Sequence, residues 1–474
     1  MKELVNKGLS DVLKNTLLCF LLMCSLLFSS CKDDPEPDPG PTGPDPFTIT
    51  VNPANTQQEM IGFGGALTWY STWLTNNVNK AQIADLIFDD LGIDIIRFKT
   101  WYYPDGYPDN TSTATMSDDG SKAHWDATNE LYQMAKSRNP NVKILLSSWG
   151  PPAGLKSNNS SRQGTLKKDE DGNFMYDAYA DYWEHTLDHL PFNPDYLSIQ
   201  NEPTYTNSGW TTSQWTINET PNFPAYSIAF DKVYDKIKDK ENPPVMIGPE
   251  SQDVPTFAPF ASILKDKPHC GVLAYHPYNI TSATSNTQVI SSLQTIGNFT
   301  TKPNLMTEFS DNGFTWFNTA VFIQNTLLHA NSSGYIYWKL VWAAPSAGNP
   351  DNAMVSIAGS ASSSTFTVTP FYHVIKHFSK HIDAGHKRVD ASSSNANLSV
   401  SAFVNPANNK LTLIIINTGP GQVETGLAVT GKTITNVSAY RSAQNSYYQT
   451  VEGTSPTGPL VLPSQTITTV VLDI

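Results

Sequence analysis

Cysteine is scarce: four residues in 474, with Cys19, Cys24 and Cys31 crowded near the N-terminus and Cys270 alone in the rest. Neither a disulfide framework nor a cysteine-based metal site is available. Charged side chains are sparse at 15%, and cations are the scarcer kind, with 30 Lys and Arg against 43 Asp and Glu. A net charge of −13 repels phosphate backbones and anionic membrane surfaces, so nucleic acid is not an expected partner and neutral ligands fit better. Two histidine series have helical spacing, His185/His189 and His373/His377/His381. No His-Glu-x-x-His accompanies them, so they read as a solvated face and an interdomain helix rather than metal ligands. Gly62-Phe63-Gly64-Gly65 lacks the Lys-Ser/Thr of a phosphate loop and reads as close backbone packing. No cofactor or metal is expected.

Lys2, Lys7 and Lys14 precede an apolar run, Leu17 to Phe28. At about 12 residues it is too short to span a bilayer comfortably and reads as the core of a signal peptide over residues 1–30. Ser29-Ser30-Cys31 resembles a bacterial lipobox, which implies a lipid on Cys31 and an anchor to the membrane. Lys32-Asp33-Asp34 resembles the signal that exports lipoproteins to the outer face of the outer membrane. The expectation is a secreted lipoprotein at the cell surface; plain secretion is the simpler alternative. Residues 31–46, rich in Pro and Asp, read as a stiff tether.

What the chain has in surplus is aromatic side chains, 11 Trp, 20 Tyr and 21 Phe. From residue 61 to about 340, β-branched apolar runs alternate with segments of helical period. The strand candidates are 61–66, 93–98, 143–148, 196–201, 245–250, 272–276, 305–309 and 335–340. Helices are expected at 80–91, 125–138, 176–190, 226–240 and 319–332. Repeated βα units of this kind predict an α/β chain with a (β/α)8, or TIM, barrel over 61–383, whose chemistry sits at the C-terminal strand ends. After 384 the texture becomes alternating strands with Asn, Gly and Ser turns, the pattern of an antiparallel β-sandwich to 474. Residues 47–60 share that texture and are expected to join it.

Two carboxyls fall where barrel chemistry is placed. Asn201-Glu202-Pro203 ends the fourth strand, where proline stops the ladder. Thr307-Glu308-Phe309 ends the seventh, across the mouth. Two facing carboxyls, one held protonated by burial and one kept ionised by a cation, are what glycoside hydrolysis with retention requires. Arg97, at the end of the second strand, is the candidate cation, and Asn201 can bind a sugar 2-hydroxyl. Glu250 is a rival carboxylate, read as supporting. Trp69, Trp101, Trp149, Trp210, Trp215, Trp316, Trp342, Tyr275, Tyr278 and Phe309 fall near the same rim, where sugar rings stack on aromatic faces.

IGFGGALTW, SSWGPPAGLK, SIQNEP, IGPES, YHPY, LMTE and HFSKHIDAGHKRVDA, in this order, resemble the motifs of glycoside hydrolase family 30. The resemblance runs from about Phe47 to Ile474, with the bacterial glucuronoxylanases most similar. It implies a barrel with a β-sandwich, Glu202 as acid/base, Glu308 as nucleophile, and Asn201, Arg97, Trp149, His276 and Trp338 lining the sugar subsite. Tyr278, Trp69 and Trp342 join them as expected binding residues. The expected substrate is a β-linked plant polysaccharide, an endo-β-1,4-xylanase reading first. The stretch after the last barrel strand carries Lys339 as its one cation, unlike the basic loop with which glucuronoxylanases hold a uronic acid. Unbranched xylan and β-1,6-linked glucan or galactan therefore stay open, as do exo action, for which the 101–116 or 346–364 loop would block the cleft, and a catalytically silent glycan-binding lipoprotein.

Overall fold

The chain enters the fold through a long strand, β1 (Phe47–Glu59), and then lays down eight parallel strands. These are β2 (Gly62–Leu67), β3 (Ile95–Lys99), β4 (Lys143–Ser147), β5 (Tyr196–Ser198), β6 (Val245–Ser251), β7 (Cys270–Tyr275), β8 (Asn304–Phe309) and β9 (Ser332–Tyr337). The computed structural model describes residues 47–101, 122–311, 313–360 and 362–474. Cys31, the segments 1–30 and 31–46 and nearly all of the 101–116 loop lie outside these residues. Strands β2 to β9 close into the expected barrel, β2 pairing with β9. Closure requires glycine: a Cβ on Gly334 would stand 2.0 Å from the Gly62 carbonyl oxygen.

Helices lie between the strands: α1 (Ser71–Thr75), α2 (Lys80–Asp85), α3 (Lys122–Arg138), α4 (Tyr176–His189), α5 (Tyr226–Ile237), α6 (Val254–Leu264), α7 (Asn286–Gly297), α8 (Trp316–His329) and α9 (Pro370–Ser379). Three of them, α1, α6 and α7, lie outside the helices expected from the sequence. In α6, Pro255 sits in the first turn, where a helix N–H has no partner, and Asp253 caps the helix by accepting from Thr256 N. Helix α7 opens on a Ser285/Gln288 capping box, a signal present in the sequence.

After the barrel come a small three-stranded sheet, β10 (Val341–Ala344), β11 (Val355–Ala358) and β12 (Phe366–Val368), and then the second sheet. Its strands are β13 (Lys387–Ser393), β14 (Leu398–Val404), β15 (Lys410–Asn417), β16 (Val423–Val429), β17 (Asn436–Ala443), β18 (Ser446–Thr450), β19 (Leu460–Leu462) and β20 (Thr466–Asp473). With β1 they make one nine-stranded sheet, antiparallel except where β1 runs parallel to β16. Ile49, Val437 and Leu462, from strands far apart in that order, share one core, so the sheet folds over onto itself as a sandwich. Residues that alternate with that core, Phe403, Ile414, Ile416 and Ile467, pack instead with the barrel helices. Gln324 on α8 seals the joint, donating to Ile414 O at 3.3 Å and accepting from Ser401 Oγ at 2.8 Å.

Candidate active site

Strand periodicity carries polar side chains into the barrel mouth. Ile95, Leu145, Ile247, Val272, Ala274, Leu305 and Ile336 form the apolar plug inside the barrel. Two residues beyond Ile95 on the same face stands Arg97, two beyond Leu145 Ser147, two beyond Ala274 His276 and two beyond Leu305 Thr307. At the working strand ends the regular ladder breaks. The β5 ladder stops at Ser198, short of the expected 201, and the hydroxyl of Tyr179 takes the Ile199 carbonyl at 2.5 Å. The β8–β9 register shifts between Met306 and Phe309, around Glu308, and the β6–β7 register between Pro249 and Ser251, around Glu250. Such bulges re-aim side chains. Glu202 and Glu250 both adopt positive φ, 47° and 53°, a conformation that costs a non-glycine residue on the order of 1 kcal/mol.

Arg97 is the centre of the site. Fully buried, it donates from Nη1 to Glu308 Oε2 at 2.5 Å and from Nη2 to Asn201 Oδ1 at 2.6 Å, while Nε donates to Ser147 Oγ at 3.2 Å and lies 3.0 Å from Glu250 Oε1. Its guanidinium also covers the Trp149 ring, 4.6 Å from the centroid. Because a guanidinium only donates, Asn201 must present Oδ1 to it, which leaves the Nδ2 amide to donate elsewhere. Tyr278 donates its hydroxyl to Glu308 Oε1 at 2.9 Å. His276 bridges the two carboxyl-bearing strands, with Nδ1 3.1 Å from Glu202 Oε1 and Nε2 3.1 Å from Thr307 Oγ1.

Burial pushes both carboxyls above the usual carboxylate range, Glu202 the further of the two, since the Glu308 charge adds to its burial. Glu308 is pulled back by the charge and hydrogen bond of Arg97 and by Tyr278. The pair therefore shares its proton unequally: Glu202 holds it and Glu308 carries the charge. Burial and then the Arg97 charge hold His276 well below the ordinary imidazole range, so it is neutral. With Nδ1 donating to Glu202, Nε2 accepts from Thr307. Glu202, His276 and Glu308 each offer a ligand atom within 4.8 Å of the others. Both imidazole nitrogens are already bonded and a guanidinium sits on Glu308, so a dication would meet a fixed positive charge; the donor set suits a proton better than a metal.

The site opens into a cleft of about 440 Å3. Trp69, Trp149, Trp338 and Trp342 wall one side, packed edge on, with Trp69 centroids 5.4, 5.5 and 6.3 Å from the other three. Tyr205, Trp210, Gln252, Asp253, Tyr278 and Asn279 complete it around Glu202 and Glu308. Of the aromatics expected on the rim, several lie elsewhere. Trp215 is fully buried, its indole N–H on Gln200 Oε1; Tyr275 is buried with its hydroxyl on Ser332; Phe309 is buried against Phe322; Trp316 faces the second sheet through Gln444. Trp101 stacks on His124 and belongs to the same cluster as Trp69 and Trp149. Sequence reasoning missed Gln200, whose amide reaches Trp149 O and Asn201 O and so ties two rim segments together. It also missed Tyr205, Gln252, Asp253 and Asn279, polar loop residues without a distinctive pattern.

No protein-family model matches the chain. Its sequence is 25% identical over 415 residues to a Caenorhabditis elegans protein provisionally named glucosylceramidase 2, covering 79% of this chain and 78% of the relative. It is 24% identical over 201 residues to the endo-1,6-β-D-glucanase neg1 of Aspergillus fumigatus, 37% of this chain and 41% of that one. The solved glycoside hydrolase family 30 subfamily 8 xylanase Xyn30A of Clostridium acetobutylicum superposes with a TM-score of 0.65 at 22% identity, over 90% of this chain and all of the xylanase. The chain thus has the family 30-like glycoside hydrolase fold that its motifs resemble.

Proposed function

We propose that the chain is a retaining β-glycoside hydrolase in which Glu308 is the nucleophile and Glu202 the acid/base. One observation carries the reading: carboxylate oxygens of Glu202 and Glu308 approach within 4.8 Å across the mouth. Retaining enzymes need about 5–5.5 Å between carboxyls, whereas inverting ones need roughly 6.5–9.5 Å to admit a water. Glu308, charged and oriented by Arg97 and Tyr278, attacks the anomeric carbon while Glu202 protonates the departing oxygen. Asn201, with Oδ1 held by Arg97, donates from Nδ2 to the sugar beside the reacting centre. Water deprotonated by Glu202 then attacks the glycosyl ester and frees Glu308. On a polysaccharide panel, loss of product with Glu308→Ala supports the assignment; equal release by variant and wild type sinks it.

The substrate supported best is a neutral β-glycan. Lys339, the one cation in the stretch after the last barrel strand, is held by Asp351 at 2.6 Å and lies over the Trp342 ring. Besides Glu202 and Glu308, the cleft lining offers Asp253, an acid, and otherwise neutral side chains. A β-glucosyl substrate comes first, β-1,6-glucan in particular, since the two relatives similar in sequence are named for glucosyl chemistry. Unbranched xylan comes second, on the likeness of fold to xylanases. Initial rates on β-1,6-glucan, xylan and glucuronoxylan separate them, and dependence on the uronic acid branch would overturn the neutral-glycan reading. The lipid anchor on Cys31 and an outer-membrane, cell-surface location belong to the same proposal, resting on the Ser29-Ser30-Cys31 resemblance; failure of full-length protein to incorporate labelled palmitate in a Gram-negative host would overturn them.

A further inference from the structure

Glu250 is buried, charged and outside the cleft lining, and it touches both halves of the working pair. Its backbone carbonyl accepts the N–H of Glu202 at 2.9 Å, and its carboxylate stands 3.0 Å from Nε of the arginine that holds Glu308. We infer that Glu250 is a positioning residue, a fixed countercharge that offsets Arg97 so that the acid/base and the nucleophile respond to each other rather than to the guanidinium. The inference rests on the hydrolase reading above.

The physical argument is one of charge balance. Arg97 supplies one positive charge, and Glu250 and Glu308 one negative charge each, so Glu202 faces a net negative trio in the free site. That keeps its proton on. Esterification of Glu308 removes one negative charge, the trio becomes neutral, and Glu202 can release its proton and serve as base. Without Glu250 the same cycle would start neutral and end positive, and Glu202, still raised by burial and by Glu308, would hold its proton less firmly at every stage. The directions agree: the Glu250 charge raises both Glu202 and Glu308.

Other groups near Glu250 do not replace it. Tyr226 on α5 feels its charge and is pushed far up, chiefly by burial, so it stays a neutral phenol. His276 and Tyr278 are neutral as well. Asp253 adds negative charge to Glu202 but is occupied as the cap of α6. The Glu250 carboxylate makes no hydrogen bond in place of the ion pair among the described residues. Its interaction with Arg97 is one of charge, since the Nε hydrogen points to Ser147.

The test is the pH profile of kcat/KM on β-1,6-glucan, or on xylan if the panel selects it. Glu250→Gln should shift both limbs to lower pH by about one unit, the size expected of a neighbouring charge, and lower kcat. Glu250→Asp, which keeps the charge, should restore both limbs to near the wild-type positions. Unshifted limbs in a folded Glu250→Gln enzyme, with rate lost or retained, overturn the inference. Should Glu250→Gln not fold, judged by circular dichroism, Glu250→Asp decides: limbs in place support the inference, and limbs displaced by half a unit or more overturn it. Absence of cleavage by wild type, or equal cleavage by Glu308→Gln, is a different failure, that of the hydrolase reading itself.

Discussion

Two fully buried histidines divide the molecule's polar interior into two kinds. His276 at the barrel mouth and His377 at the joint with the second sheet are both held neutral by burial, and both use each ring nitrogen in a hydrogen bond. His377 meets only hydroxyls, Thr469 Oγ1 and Ser442 Oγ, each at 2.8 Å. His276 meets Glu202, which with Glu308, Glu250 and Arg97 makes a crowded ionic cluster. His377 is neutral and satisfied, as a group that serves only to hold elements together should be. At the mouth, several charges are crowded together in a largely buried site, and the proton distribution becomes adjustable.

The comparison predicts that changes at the mouth cost rate and changes at the joint cost stability. Glu308→Ala should lower kcat by on the order of 10⁴-fold or more with an unchanged or higher Tm, since a buried charge is removed; a substantial residual rate would break the comparison at its strongest point. Glu202→Gln should cost about 10²–10⁴-fold on the polysaccharide and far less in forming the glycosyl-enzyme from substrates with very good leaving groups. Failure of that rescue in a folded variant would count against the acid role. His377→Ala should leave kcat per folded molecule unchanged and destabilise by about 2–4 kcal/mol, by opening a cavity and stranding two hydroxyls, as read by denaturant titration. An unaltered midpoint would show that the joint does not depend on it.

The smallest effect expected is one of pH. His377 is held low by burial first, then by His373 and His381, and burial brings His381 down to about 4. Below the unfolded imidazole pKa of roughly 6.5, the unfolded chain binds protons that the folded chain does not. Stability contributed by these neutral imidazoles is therefore full above that pH and is lost as pH falls towards about 4. Wild-type Tm should decline between pH 7 and 5 more steeply than that of His377→Gln. Parallel slopes would contradict the assignment.

Much of this arrangement was legible before any coordinates. Strand candidates landed within a few residues of β2 to β9 because each is a short apolar run cut off by a turn, and Arg97, Glu202, His276 and Glu308 sit at run ends that a barrel gathers. Helix α6 was not among the expected helices, although Asp253 supplies its cap and Pro255 lies in the one turn that tolerates it. Aromatics misled at Trp215, Trp316, Tyr275 and Phe309: a rim position and a core position next to a strand end have the same composition. Gln200 carried no signal, since an amide becomes a staple only when two particular loop carbonyls come within its reach.

Taken alone, the sequence determined the alternation of strand and helix, the change to sheet texture after residue 384, and the two glutamates at the ends of the fourth and seventh strands. Local patterns suffice for these, because periodicity and chain breaks act within a few residues. Only the tertiary structure decided which tryptophans face the cleft and that Glu250 shares Arg97 with Glu308. Those depend on closure, register shifts and burial, which bring together groups as distant in the chain as Arg97 and Glu308 or Trp69 and Trp342.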